Sequence, residues 1–240
     1  MTVYNGPSVV NDRIALHVDF ANTKCYSGTG TDVYDLSSNG YNGTIVSLGS
    51  EVSYNSNGWL DFTGTDGASV TYGVSQLSTD PSLGLGYASG EITYEAWVYP
   101  LSVVANQRIM STDRSDYNCL MNDSNNTVEW ALDGDPGFNT ASGSYTANNW
   151  YHVVGTASRS ASNRSTYLNG SLSTSGSKTI RNPMGDGTTR PFAIGSNVEA
   201  AVENNSCFHG RIAIVRIYGK ALSADEARQN FEAGRLRFGL

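Results

Sequence analysis

Charge is scarce in this chain. Only 15% of its 240 residues are Asp, Glu, Lys or Arg. Acidic side chains outnumber basic ones by 22 to 15, for a formal net charge of −7 at pH 7. Phosphate backbones are gripped by clustered Lys and Arg, so a nucleic-acid partner is not expected. No apolar run approaches the ~18 residues that a helix needs to cross a bilayer, so no membrane span is expected. Cysteine is scarce as well. Cys25, Cys119 and Cys207 form an odd set whose spacing fits no zinc motif. One disulfide would leave a thiol over; three unpaired thiols are the reading taken, and they fit synthesis in a reducing compartment. The opening MTVYNGPSVVNDRIALHVDF has neither a basic start nor an apolar h-region, so no secretory signal is expected. The sequons at Asn42, Asn125, Asn163, Asn169 and Asn204 read as accidents of an Asn- and Ser-rich chain. No internal repeat, low-complexity linker or composition break marks a second domain.

What is present is a supply of short strands. Hydrophobic residues make up 39% of the chain, enough for a sizeable core. RIALHVDF alternates, placing Ile14, Leu16, Val18 and Phe20 on one face with His17 and Asp19 on the other. Asn39-Gly40 and Asn42-Gly43 mark turns, and EITYEAWVYP is a strong strand that Pro100 ends. NWYHVVGTAS and STYLNGSLSTSG form a hairpin region. Within the latter, Asn169-Gly170 predicts a type I′ turn. Strand following strand, with no alternating helices, predicts an antiparallel sandwich. One helix is legible near the end: Ser223-Ala224-Asp225-Glu226 is an S-x-x-E capping box, the apolar stripe is narrow (Ala227, Phe231), and Gly234 reads as the stop.

These pieces resemble a known family. GRIAIVRIYGKALSADEARQNF is similar to the closing strand and helix of LamG-like domains in the concanavalin A-like lectin/glucanase superfamily. EITYEAWVYP resembles that family's E-a-W strand, NWYHVVGTAS with YLNG its W-x-H-V strand and hairpin, and FAIGSN its IG strand. The stretch GPSVVNDRIALHVDFANTKCYSGTGTDVYDLSSNGYNGTI and the terminus NFEAGRLRFGL resemble LamG-like proteins of tailed-bacteriophage virions. The resemblance implies an all-β, two-sheet antiparallel jelly-roll sandwich of concanavalin A-like type with one short C-terminal helix. It would fill residues 13–240 as one domain, with 1–12 as an N-terminal extension and candidate docking segment. It further implies a virion surface protein assembled in the host cytoplasm: a capsid decoration, head fibre or tail appendage. Its expected partners are capsid or tail proteins, further copies of itself and host-surface glycans. The alternatives are a lectin module not tied to a virion, and a glycoside hydrolase of the same fold.

Candidate chemistry is sparse. Retaining glycosidases hold two carboxylates ~5–5.5 Å apart, which E-x-D-x-E on one strand supplies; no such motif occurs. Glu91 and Glu95 lie roughly 13 Å apart along a strand, and Glu129 with Asp133 repeats that spacing. His152 and His209 read as satisfied strand histidines, and Cys119 has no partner pattern of a nucleophile. The expectation is that the chain is not an enzyme. Calcium is a candidate cofactor, with Asp113, Asp123 and Asp135 as metal ligands from Asp/Asn-rich loops. Relatives often carry an acidic residue in the last strand where this chain has Ala213. Asp35 reads alternatively as the head of an Asx-turn. For a sugar ligand, Trp130 and Tyr117 beside Asp116, Asn118 and Asp133 form the candidate cluster, while Trp97 and Trp150 read as core.

Overall fold

The computed structural model describes residues 6–64, 69–72, 90–111, 119–132, 135–177, 192–196 and 207–240. Within them the chain forms two eight-stranded sheets whose pairings are antiparallel. The first sheet runs β14 (Ser171–Ser177), β13 (Asn163–Leu168), β12 (Tyr151–Ser158), β7 (Glu91–Pro100), β16 (His209–Tyr218), β5 (Trp59–Thr63), β4 (Val52–Asn55). Strand β1 (Ile14–Asp19) pairs with the C-terminal half of β16, beyond the half that pairs with β5. The second sheet runs β11 (Asp135–Asn139), β10 (Thr127–Leu132), β9 (Cys119–Asp123), β8 (Arg108–Ser111), β15 (Phe192–Ile194), β6 (Ser69–Tyr72), β3 (Gly43–Val46), β2 (Asp32–Val33).

Alternation decides what lies between the sheets. Tyr94, Ala96 and Val98 of β7, Val153 and Ala157 of β12, and Leu60 and Phe62 of β5 face inward. They meet Leu120, Val128, Trp130, Leu132, Phe192 and Ile194 of the second sheet in one buried cluster. β1 departs from simple alternation. Its register shifts between Ile14 and Leu16, and Arg13 has φ 55°, so Ala15 and Leu16 both reach the core. Ile14 turns instead to Val10, Tyr218 and Leu222 on the other side of the sheet.

Trp130 is the largest correction to the sequence reading. It is fully buried, packs against Tyr94 with ring centroids 4.9 Å apart, and its indole N–H donates to Thr156 O at 3.1 Å. It is in phase with Val128 and Leu132, so the β10 pleat drives it between the sheets, away from any ligand. Gly155 makes the crossing feasible: a Cβ there would fall 2.5 Å from the Trp130 ring.

The helix α1 (Ala224–Gly234) begins as expected. Ser223 Oγ accepts from the Glu226 N–H, and Glu226 Oε2 accepts from the Ser223 N–H at 2.9 Å. Gly234 does not stop the chain's winding. It has φ −112°, lies flat against Trp97, and passes into a 3₁₀ turn over Arg235–Phe238 that ends at Gly239 with φ 74°. Gly is needed at 234 for close approach to an indole rather than for a left-handed cap. The predicted type I′ turn is present, with Asn169 at φ 49° and Gly170 at φ 73°. All three cysteines are free and buried. No helix among the described residues is long and apolar enough to cross a membrane.

Replacing Trp130 by Ala would empty the centre of the sandwich, and a loss of about 3–5 kcal/mol in urea-denaturation stability is expected. Gly155→Val should destabilise comparably by overpacking the same indole. Melting curves that match the unaltered chain's for both variants would contradict this packing.

Candidate ligand-binding face

The functional question turns on the outer face of the first sheet, because register stacks charged residues there in two cross-strand rows. In the first row His17 lies opposite Arg216, and Arg216 opposite Glu95. Glu95 and His152 are fully buried and Arg216 is nearly so. Arg216 Nη1 donates to Glu95 Oε1, His152 Nε2 lies 3.1 Å from the same oxygen, and Asn230 Nδ2 of α1 donates to Oε2 at 2.6 Å. Asn230 also donates to Tyr218 Oη at 3.0 Å, while its Oδ1 accepts the Val10 N–H at 2.8 Å. Burial alone would raise the Glu95 pKa. The Arg216 charge, the His152 ring close by and the hydrogen bond from Asn230 outweigh it, so the carboxyl is held down to about 2. His17 is lowered to about 4, first by burial and then by the Arg216 charge.

Over this row lies α1. Ala227 packs on Val154 and Tyr167, while Phe231 and Phe238 stack on Trp97 at 5.8 and 4.3 Å. The hairpin tip at Gly170 meets Phe231 so closely that a Cβ would stand 2.9 Å from it. Ala213, where relatives often carry an acid, is buried in the Trp97–Phe238 cluster. From Arg216 to His152 this covered half is structural and exposes no reactive group; His17, at its edge, is partly exposed.

The second row lies beyond the helix and is open. Arg211 of β16 stands opposite Asp61 of β5 on one side and Tyr99 of β7 on the other. Arg211 Nε donates to Asp61 Oδ1 at 3.0 Å, and both side chains are 32% exposed. Its guanidinium lies 4.7 Å from the Tyr99 ring centroid and 5.3 Å from that of Trp59. Trp150 closes the group, 5.5 Å from both Trp59 and Tyr99 and 4.5 Å from Phe238. Half-buried rings around a solvent-reaching ion pair offer apolar faces and directional polar groups together.

The remaining sequence candidates fall elsewhere. Asp113, Asp116, Tyr117, Asn118 and Asp133 lie outside the described residues, and Asp135 is described only as backbone in β11. Asp123 Oδ2 accepts from Asn139 Nδ2, tying β9 to β11, so one of its two oxygens is already engaged. Among the described residues no group of three or more His, Cys, Asp or Glu is placed to hold a metal ion. Asp35 does form an Asx-turn: Oδ1 accepts the Ser37 N–H at 2.8 Å and the His17 N–H at 2.9 Å. Glu91 accepts from Ser158 Oγ and from the Ala221 N–H at a strand end. No local sequence pattern groups Trp59, Tyr99, Trp150, Arg211 and Asp61, since Arg211 and Asp61 lie 150 positions apart and only register unites them.

A family model for the concanavalin A-like lectin/glucanase superfamily, Laminin_G_3, matches residues 66–228. The chain belongs to this superfamily. Comparison with curated proteins finds no match. Among solved structures, a Trypanosoma rangeli sialidase is 16% identical with a TM-score of 0.65, over 96% of this chain and 34% of that one. This superfamily member therefore spans about a third of the sialidase chain. Domain 4 of AbnA, an extracellular GH43 arabinanase from Geobacillus stearothermophilus solved in complex with arabinotriose, is 19% identical with a TM-score of 0.65. That match covers 91% of this chain and 98% of that one. The binding domain of Paraclostridial Mosquitocidal Protein 1 is 17% identical, with a TM-score of 0.64, over 91% of this chain and 51% of that one. At these identities the likeness is one of fold. It still corrects the expectation of a non-enzyme: the fold occurs within sialidase chains as well as in binding domains, so the absence of an E-x-D-x-E motif does not set catalysis aside.

The covered row predicts acid sensitivity. A lowered carboxyl pKa stabilises the fold above the unfolded value near 4.5, and that contribution is lost as pH falls towards 2. A lowered histidine pKa acts in the same direction over a higher window. The unfolded chain takes up a proton from 6.5 downward that folded His17 refuses until about 4. Stability to urea should therefore be flat above pH 7 and fall by on the order of a few kcal/mol between pH 6.5 and 3. Glu95→Gln leaves Arg216 buried without its countercharge and should cost about 3–5 kcal/mol at pH 7. A pH-independent melt of the unaltered chain would refute this electrostatic account.

Proposed function

We propose that this chain is a carbohydrate-binding module whose ligand lies across the open row of the first sheet. The Asp61–Arg211–Tyr99 row, flanked by Trp59 and Trp150, carries the reading. Sugar rings pack their C–H faces on aromatic rings and take hydrogen bonds from a paired charge at their edge. The likeness to an arabinanase domain solved with arabinotriose supports it. The setting we propose is the surface of a tailed-phage particle assembled in the host cytoplasm, where copies of the chain on capsid or tail proteins would meet host-surface glycans. The resemblance of residues 6–45 and of the last eleven residues to phage LamG-like proteins supports that setting.

Glycan-array screening of the purified chain, with and without calcium, tests the ligand. A sugar-release assay on the same glycans reads out hydrolysis directly. Binding to at least one glycan class is expected, weakened at least about tenfold by Trp150→Ala or Arg211→Ala without loss of folding. Binding untouched by both substitutions would move the site elsewhere, and no binding in either condition would remove the reading. Mass spectrometry of purified phage particles tests the setting: the chain should be found in them, and its absence would end the virion assignment.

A further inference from the structure

Ser8–Asn11, strand β1 and the loop at Leu36–Ser38 enclose a cleft of about 490 Å³, apart from both the aromatic row and the sandwich core. Its walls are fixed from separate directions. The N-terminal segment is held to α1 by the Val10 N–H on Asn230 Oδ1 and by Gln229 Nε2 donating to Ser8 O at 2.7 Å. The loop is held to β1 through Asp35, which accepts the His17 N–H, and through Asn39 Nδ2 donating to Ala15 O at 2.9 Å. Such anchoring keeps the space open, and its size lies in the ordinary range of small-ligand pockets.

Ile14 and His17 line the β1 side of the cleft. His17 Nε2 is buried and has no hydrogen-bond partner, which is uncommon in folded proteins. Cross-strand from it, the Arg216 Nε–H is buried and unpaired too, while Nη1 of the same side chain is engaged with Glu95. The imidazole lines the cleft while its Nε2 is closed to water, so a ligand's hydrogen bond there requires the ring to turn toward the open space, where it would satisfy a nitrogen that is already desolvated.

Most of the surrounding charges are compensated, and none belongs to a residue that lines the cleft. Those acting on His17 are Asp19 of its own strand, Arg216 and Glu95 of β16 and β7, and Asp35 of the loop. Arg216 and Glu95 neutralise each other, Asp19 pairs with Arg237 at 2.8 Å, and Asp35 is engaged with amides and the Ser37 hydroxyl. Residues 8–11 carry no charge. The imidazole is itself neutral down to about pH 4. The cleft thus sets a neutral ring nitrogen and serine hydroxyls among Val10, Ile14 and Leu36. Neither an anion nor a cation finds a counter-charge there; a ring bearing several hydroxyls finds both polar and apolar contact.

We propose that this cleft is a second binding site, taking one uncharged polyhydroxylated ligand of monosaccharide size with a hydrogen bond to the His17 imidazole. It stands independently of the aromatic row. The test is a nuclear magnetic resonance titration of the full chain with D-glucose, D-galactose, N-acetyl-D-glucosamine and glycerol in turn at millimolar concentrations. The signals followed are the His17 imidazole and the Ser37 and Ser38 amides. At least one of the sugars should give a saturable shift at these sites, weakened about tenfold or more in His17→Phe. Ser38→Trp, which fills the cleft from an exposed loop position, should abolish it, and Trp150→Ala should leave it unchanged. Should His17→Phe fail to fold, Ser38→Trp carries the comparison alone. No saturable shift with any of the four probes, as when water is the only occupant, would overturn the proposal. So would a shift that survives Ser38→Trp.

Discussion

One buried carboxylate organises this molecule. Glu95 sits at 0% exposure on the central strand β7 and is met by groups from β16, β12 and α1 together. Removing a charge from water costs several kcal/mol, and only close, well-directed partners return it. Arg216, His152 and Asn230 are those partners, which makes the site a constraint on how the elements fit. The helix cannot slide along the sheet without taking Asn230 from the carboxylate. The sheet cannot slip register without taking Arg216 from it.

That constraint explains why an all-β chain closes with a helix. The charged row on the outer face of the first sheet needs a dry cover, and α1 with the following 3₁₀ turn supplies it through Ala227, Phe231 and Phe238. The cover is short, so it leaves the far part of the same face open. There the same cross-strand stacking yields Asp61–Arg211–Tyr99 with Trp59 and Trp150 at its sides. Covered and open halves thus arise from one sheet, divided by where the helix ends.

Much of this was legible in the residues. The capping box and the Asn169-Gly170 turn are local rules, and each formed as read; alternation holds along β7 and β12 but breaks at the start of β1. The failures have physical reasons. Nearness to a strand end makes Trp130 look available to a ligand, yet its phase with Val128 and Leu132 points it inward. Trp150, read as core, is in phase with His152 and so faces outward, where it remains half-buried. An apolar stripe does not reveal Asn230, because the helix buries this polar residue to reach Glu95. The aromatic row depends on register between strands far apart in sequence, which no local pattern states.

The most direct measurement of the central claim is the ionisation of Glu95 itself, followed through its side-chain carboxyl ¹³C shift as the folded protein is acidified. The carboxyl should keep its ionised shift through the range where exposed glutamates titrate and begin to change only as pH approaches about 2 or the fold is lost. A titration midpoint at or above the ordinary value near 4.5 in the folded state would contradict the account.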